Sequence, residues 1–210
     1  MKLLKKVILK LSGLFIMAVA MAFLTASDMG ISPVQSLAYV ISQKLSDVIT
    51  FGVASAVWNF ILIAIQIILL KRNFRLWELL QIPMTLYFAG VIDFARKFVT
   101  IAPVTYTERL AVMLLGVFVL SFGIFLTVEA GLVMNSGEAT VKAIAAKTKK
   151  SFGTVKVLFD VSIVLSAVIA SFIFFGKFRF DLIGIGTLCC ALLTGFIIKG
   201  FVKVKGWLFK

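Results

Sequence analysis

The sequence predicts an all-α polytopic membrane protein with six transmembrane helices, arranged as two inverted three-helix repeats. Three observations indicate this fold: a composition that is 61% hydrophobic and only 15% charged, apolar runs as long as a bilayer is thick, and a pattern that recurs in the second half of the chain. A soluble domain is about half apolar and a quarter charged. The chain of 210 residues therefore falls in the membrane class, in which an apolar helix of about 20 residues crosses about 30 Å of hydrocarbon.

Six runs meet this length requirement. They are Leu11–Ser27, Phe51–Leu70, Leu76–Ala95, Arg109–Val128, Gly153–Phe175 and Leu182–Lys203. The N-terminal run also resembles a signal peptide, because a basic start precedes it. It is long for a signal peptide and has a counterpart in the second half, so we interpret it as the first transmembrane helix.

Two further stretches are compatible with helix but are too short and too polar to cross the membrane. Residues 34–49 follow "DMGISP", and residues 137–150 follow "LVMNS". Ser32 suits the position before a helix, and a proline suits the first turn. Asn135 and Ser136 occupy the matching place in the second half. We expect each stretch to be a broken, re-entrant half-helix or a helix that lies on the membrane surface.

The two halves of the chain align as repeats. When Gly13 is aligned with Gly116, the apolar runs stay in step, and Asn59 falls on Asp160 once two residues are omitted. Three spans per repeat is an odd number, so the second repeat must enter the membrane from the opposite side. Secondary transporters often have this architecture, with sites where broken helices meet. The repeats are residues 1–100 and 101–210, each with three spans and one short helix.

The basic residues lie mainly on one side of the predicted membrane. With the N-terminus in the cytoplasm, 16 of the 22 Lys and Arg residues fall in cytoplasmic segments. This bias predicts that both termini are cytoplasmic. It also accounts for the net charge of +13, so we do not expect nucleic acid as a partner.

Catalytic and metal-binding motifs are missing from the sequence. The chain has no histidine, and its two cysteines, Cys189 and Cys190, are adjacent within an apolar run. Neither a zinc site nor a disulfide framework follows from that spacing. Without histidine, the chain also lacks imidazole, the commonest general base at neutral pH. We therefore expect no enzyme, no metal and no cofactor.

Ionisable side chains at membrane depth usually face a cavity or a partner, which makes them candidates for a substrate-binding or proton-coupling site. Lys156 and Asp160 share one helix face at four-residue spacing, and Glu138 and Lys142 have the same spacing. Structural ion pairing is the alternative interpretation. The candidate set has a charged half in the second repeat and a mostly neutral half in the first: Asp28, Ser32, Gln35, Asn59, Glu129, Asn135, Ser136, Glu138, Lys142, Lys156 and Asp160.

Three short motifs carry a family resemblance. "DMGISP" (Asp28–Pro33), "FG" (Phe51–Gly52) and "GIGT" (Gly184–Thr187) resemble the YczE/YyaS group of bacterial membrane proteins, which is related to the YitT group. The second half departs from the usual break of that family, since it reads "LVMNSGEAT" without proline. The resemblance implies a multi-pass protein of the bacterial cytoplasmic (inner) membrane, with export of small molecules as the favoured activity.

The sequence thus favours a small-molecule secondary transporter, with the lipid bilayer and the substrate as partners and a polar site between the repeats. The alternative is a substrate-binding or accessory subunit that works with a partner protein, as vitamin-capture subunits do. Ala18, Ala22 and Ala26 form a small-residue face that suits close packing inside the protein or against such a partner. The substrate, the coupling ion and the oligomeric state, including a homodimer, stay open.

Overall fold

Most of this apolar chain is helical, because an α-helix satisfies its backbone polar groups within its own segment, as a lipid environment requires. The computed structural model describes residues 3–208, and these residues form eight α-helices. They are α1 (Leu3–Ala26), α2 (Pro33–Lys44), α3 (Phe51–Leu70), α4 (Gln81–Phe98), α5 (Tyr106–Glu129), α6 (Ser136–Thr148), α7 (Phe152–Phe175) and α8 (Ile185–Leu208). Two 3₁₀ helices, Lys71–Asn73 and Leu76–Leu80, join α3 to α4. The predicted all-α class is confirmed.

Three of the long helices begin at a hydroxyl residue. Thr50, Thr105 and Ser151 each accept a hydrogen bond from the backbone N–H three residues later, at the starts of α3, α5 and α7. Such caps satisfy donors that have no partner inside the helix. Glu108 completes a capping box with Thr105. Local sequence therefore fixes where these helices begin.

Within residues 3–208, five helices are long and apolar enough to cross a membrane, so the chain is a multi-pass membrane protein. They are Leu3–Ala26, Phe51–Asn73, Tyr106–Glu129, Phe152–Phe175 and Ile185–Lys205. The predicted span Leu76–Ala95 differs from the structure, which has a 3₁₀ helix followed by α4. α4 has 18 residues, which include Asp93, Arg96 and Lys97, and these charges reduce its apolar length.

α4 lies antiparallel to α3. Gln66 of α3 exchanges side-chain hydrogen bonds with Gln81 at the start of α4. Near the other end of α4, the Asp93 carboxylate accepts hydrogen bonds from Thr50 Oγ1 (2.5 Å) and Gly52 N (2.8 Å). From Gly52 to Gln66 the two helices therefore run side by side for about 21 Å, at 1.5 Å per residue.

α1 and α5 pack antiparallel with their backbones close together. A Cβ atom added to Gly13 would lie 2.7 Å from Thr127 Cγ2 and 2.9 Å from the Gly123 carbonyl oxygen. At the other end of the contact, a Cβ atom on Gly116 would lie 3.0 Å from two side-chain carbons of Leu24. Small residues permit this close approach. In lipid, where the hydrophobic effect does not drive helices together, such close packing stabilises their association.

The short helices each contact the opposite half of the chain. α2 packs against α3 and α7, and α6 packs against α3 and α7. Ser136, the first residue of α6, contacts Asn59 near the middle of α3, and Thr140 contacts Leu62 one turn further on. α6 therefore starts opposite the middle of α3 and runs beside its second half.

The break before α2 is held by the segment that starts α8. Gly30 N donates to the carbonyl oxygen of Asp181 (3.2 Å), and Gly186 N donates to that of Met29 (2.7 Å). Gly30 has a φ of +97°, in the left-handed region that favours glycine. A Cβ atom on Gly184 would lie 2.7 Å from the Met29 carbonyl oxygen. The "DMGISP" and "GIGT" motifs thus form one backbone junction, which we call the glycine junction.

Gly184→Ala should destabilise the protein, because the added methyl group overlaps backbone atoms that have no room to move. Overpacking of this kind costs about 1–3 kcal/mol. Gly195→Ala in α8 is the matched control, since a Cβ atom there has no described atom within 4 Å. Thermal unfolding in detergent should show a lower midpoint for Gly184→Ala alone. Equal midpoints for the two variants would contradict the glycine junction.

Candidate functional site

The first turns of α2 and α6 meet inside the bundle. A Cβ atom on Gly137 would lie 2.9 Å from Cγ1 of Val34. Trp58 of α3 donates from Nε1 to the Val34 carbonyl oxygen (2.7 Å), and its neighbour Asn59 accepts from Ser136 Oγ (2.5 Å). The two helix starts that the sequence places at one site therefore lie together, with α3 bridging them.

A network of neutral polar side chains fills the space between α3, α4 and α6. Gln66 Nε2 lies 3.2 Å from Gln81 Oε1, 3.1 Å from the Ser136 carbonyl oxygen and 3.2 Å from Thr140 Oγ1. Asn59 Nδ2 donates to the Ser55 carbonyl oxygen (2.8 Å). All of these side chains are buried. Because buried polar groups are costly unless they are paired, this network fixes the position of α6 against α3.

Lys10 is a buried cation beside the start of α6. Its side chain is 1% exposed, and Nζ donates to Asn135 Oδ1 (2.7 Å). Asn135 precedes the first turn of α6 and also lies 3.5 Å from Thr127 Oγ1 through Nδ2. No carboxylate of residues 3–208 lies within 4.0 Å of Lys10. A buried ammonium with one neutral partner is unusual, since buried charges are normally paired.

Glu138 of α6 lies near both Lys10 and Lys156 of α7. Lys156 Nζ contacts both carboxylate oxygens of Asp160, at 2.5 and 2.6 Å, so the predicted pair forms. Burial raises the pKa of the Glu138 carboxyl above its ordinary value, and the ammonium groups of Lys156 and Lys10 offset part of the rise. Lys10, Glu138, Lys156 and Asp160 together form what we call the charged cluster, with two positive and two negative groups when both acids are ionised.

Neither short helix is capped by its own preceding side chain. Ser32 and Asn135 occupy the predicted N-cap positions, but within the described chain neither side chain makes a capping hydrogen bond. The Asn135 oxygen accepts from Lys10 instead. In the first turn of α2, Gln35 is 7% exposed, and its Oε1 has no hydrogen-bond partner among residues 3–208. The start of α2 therefore keeps one buried polar atom, Gln35 Oε1, without a described partner.

A cavity of about 350 Å³ adjoins the network where α3 ends and α4 begins. It is lined by Gln81, Lys142, Arg75 and the segment Leu132–Met134, which leads directly to Asn135. A second cavity of about 390 Å³ lies against the Lys71–Asn73 turn and the end of α6. We call this end of the molecule the Lys71 end. Gln81 of the polar network lines the first of these cavities.

The remaining candidates lie outside this centre. Asp28 lies in the break before α2, with its side chain 49% exposed and its carboxylate 4.0 Å from the Arg109 guanidinium. Glu129, at the end of α5, forms an ion pair with Lys205 of α8. Lys142 is exposed and lines the cavity.

At the opposite end of the molecule, which we call the Asp28 end, paired charges accompany the glycine junction. Arg179 donates to both carboxylate oxygens of Asp181, at 2.8 and 2.5 Å. This hydrogen-bonded guanidinium holds the pKa of Asp181 below its ordinary value. Asp181 also contributes the carbonyl oxygen that accepts from Gly30. The charges therefore reinforce the backbone contact at this end.

Sequence analysis misses Lys10, Gln81 and Thr140. The predicted first span begins only at Leu11, because a charge normally marks the edge of a span, whereas α1 starts at Leu3 and includes Lys10. The available signal was the apolar run "VIL" before Lys10, which extends the helical pattern. Gln81 lies within the predicted span Leu76–Ala95, where a polar side chain is itself a signal of a buried partner.

Thr140→Val should destabilise the protein, because valine keeps the volume of threonine but removes the hydroxyl that contacts Gln66. Interhelical hydrogen bonds in membrane proteins contribute about 0.6 kcal/mol on average, with a maximum of about 1.7. Thr148→Val in the exposed last turn of α6 is the matched control. Thermal unfolding of both variants measures the difference, and a lower midpoint for Thr148→Val than for Thr140→Val would contradict the network.

Comparison with known proteins places the chain in a family. Residues 4–203 match the family of unknown function DUF6198. The uncharacterized membrane protein YczE of Bacillus subtilis (strain 168) is 27% identical over 190 residues, which cover 90% of this chain and 81% of that protein. No solved structure matches the chain. The predicted resemblance to YczE is confirmed, and the chain belongs to the DUF6198 family.

Proposed function

We propose that the protein is a secondary transporter of a small molecule, with its substrate site where α2 and α6 begin. The meeting of the two helix starts at Val34 and Gly137 is the observation that carries this proposal. Broken helices whose starts converge between repeats form the substrate sites of many secondary transporters. A buried neutral network and the charged cluster flank the meeting point, so the site offers both hydrogen bonds and charge to a solute.

Contacts between helices support the inverted repeat. Gly13 contacts Thr127, and Gly116 contacts Leu24. Gly116 lies as far along the chain from Gly13 as Thr127 lies from Leu24, so the two contacts are equivalent under the repeat alignment. Val34 and Gly137 are separated by the same interval and touch each other. α2 packs on α7 as α6 packs on α3. In this arrangement α4 is the sixth span, and it is the counterpart of α8 in the other repeat.

The arrangement of cavities supports an inward-facing state. The Lys71 end carries both cavities, and the excess of Lys and Arg on that side favours its placement in the cytoplasm of a bacterium, with the N-terminus inside. At the Asp28 end, the glycine junction and the Asp28–Arg109 pair join neighbouring segments, which favours a closed state there. Alternating access would exchange these roles, with the Asp28 end opening while α6 closes against α4.

The alternative function, a subunit that works with a partner protein, was favoured by the small-residue face of α1, and the burial of that face removes this support. Ala18 is 0% exposed and Ala22 is 2% exposed, so the small-residue face packs inside the protein and does not offer a docking surface. The bilayer and a small solute are then the partners that this proposal requires. Export from the cytoplasm is the direction that the family resemblance favours.

Proton-driven uptake or efflux in liposomes tests this function. The purified protein is reconstituted, a pH gradient is applied, and labelled carboxylates, amino acids and organic cations are followed across the membrane. Asp160→Asn should reduce proton-driven transport about tenfold or more, because it leaves the Lys156 charge unpaired near Glu138 and so opposes protonation of Glu138; a tenfold change corresponds to about 1.4 kcal/mol.

Asp47→Asn, which removes an exposed charge in the loop after α2, is the matched control. Similar thermal midpoints for both variants will show that they are folded. A protein that binds a solute tightly but moves none in liposomes would contradict transport and favour the capture subunit.

A further inference from the structure

In the charged cluster, the Lys10 ammonium and the Glu138 carboxylate do not form an ion pair with each other within 4.0 Å in the described structure. Asp160 and Lys156 are joined through both carboxylate oxygens. Lys10 has a single neutral acceptor, Asn135 Oδ1, among the described residues. An ammonium has three donors, so two of the Lys10 donors lack a described partner. Glu138, which feels the positive charge of both Lys10 and Lys156, forms no ion pair within 4.0 Å in the described structure.

The net charge of the cluster determines the charge of the ligand that it would bind. With Glu138 ionised, two ammonium groups balance two carboxylates, and the cluster is neutral. With Glu138 protonated, one positive charge is in excess, and it resides on Lys10 beside the uncapped start of α6. A helix start adds backbone N–H donors and a positive dipole end. One single negative charge restores neutrality in this state.

We infer that Lys10 and the first turn of α6 bind the negative charge of a small monoanion, and that Glu138 takes up one proton from water with each anion bound. This inference rests on the proposed transport function and names its substrate class. Leu132–Met134 lines a cavity at the Lys71 end and immediately precedes Asn135 in the chain, so the anion would enter from that end. Proton and anion enter together, so the loaded site carries no net charge.

Glu138 is influenced by Lys10 of α1, Lys156 of α7 and the Asn135 side chain just before α6. Asp160 of α7 is paired with Lys156. α3 contributes only neutral groups at this contact, Asn59 and Gln66. On α6 itself, Lys142 lies one turn from Glu138 and is exposed to solvent. Glu138 is therefore the carboxylate whose protonation leaves Lys10 without a balancing charge.

Anion binding at two pH values tests the inference directly. Thermal midpoints of the purified protein are titrated at pH 5.5 and 7.5 with sodium acetate, lactate, benzoate and chloride, and with sodium sulfate as the dianion reference at equal ionic strength. At least one monoanion should stabilise the protein more than sulfate does. Its apparent Kd should rise about tenfold per pH unit once Glu138 is ionised in the free protein, because one proton accompanies each anion.

Two variants separate the roles of the residues. Lys10→Met should abolish the stabilisation by the monoanion, whereas Lys5→Met, which removes an exposed charge earlier on α1, should keep it. Glu138→Gln should bind the monoanion with a Kd that no longer depends on pH, and this test holds even if Lys10→Met fails to fold. Monoanion binding that survives in Lys10→Met, a pH dependence that survives in Glu138→Gln, or no binding by any monoanion would each overturn the inference.

Liposome transport of the same labelled anion distinguishes this inference from the proposed function. Binding of the anion without transport would contradict the transporter and leave the anion site intact. Transport of an organic cation or a neutral amino acid, with no monoanion binding, would contradict the anion site and leave the transporter intact. Proton-coupled movement of the monoanion across the membrane is the result expected if both hold.

Discussion

The close antiparallel contact of α1 with α5 is the constraint on which the rest of the structure depends. In lipid, helices gain little from burying apolar surface, so association relies on close backbone packing. Gly13 and Gly123 supply that packing. Because the helices are antiparallel, the early part of α1 lies beside the end of α5, which brings Lys10 to Asn135. At the opposite end, the residues after α1 meet the start of α5, which brings Asp28 to Arg109.

Each chain break follows from this placement. Non-helical backbone at membrane depth is tolerated only where it is buried in protein. The break before α2 is satisfied by the start of α8, where glycines admit the Met29 and Gly30 backbone. The break before α6 uses side chains instead, since Lys10 holds Asn135 and Asn59 holds Ser136. The first break is therefore a backbone junction, whereas the second is held by charged and hydrogen-bonding side chains and follows a segment, Leu132–Met134, that lines a cavity.

Sequence patterns predicted the elements of this fold better than their contacts. Phe51–Leu70 was predicted with the bounds that the structure shows, because an apolar run between a turn and a basic loop has clear ends. The sequence pattern places Lys10 outside the first span, because a charge usually marks the edge of a span. That rule fails here because Lys10 is buried against Asn135, which lies far along the chain. The Lys156–Asp160 pair was predictable because both residues lie on one helix. Partners on different helices depend on packing that periodicity alone does not encode.

A disulfide between the two helix starts tests the central claim most directly. A Cβ atom on Gly137 lies 3.8 Å from Cβ of Val34, close to the mean Cβ–Cβ distance of about 3.8 Å in disulfides. The variant carries Val34→Cys and Gly137→Cys, has both native cysteines replaced by serine, and has a protease site in the α4–α5 connection. After oxidation and cleavage, its two halves should stay linked until reductant is added. Val34→Cys with Ala143→Cys, further along α6, should separate. Halves of the first pair that separate without reductant would contradict the account.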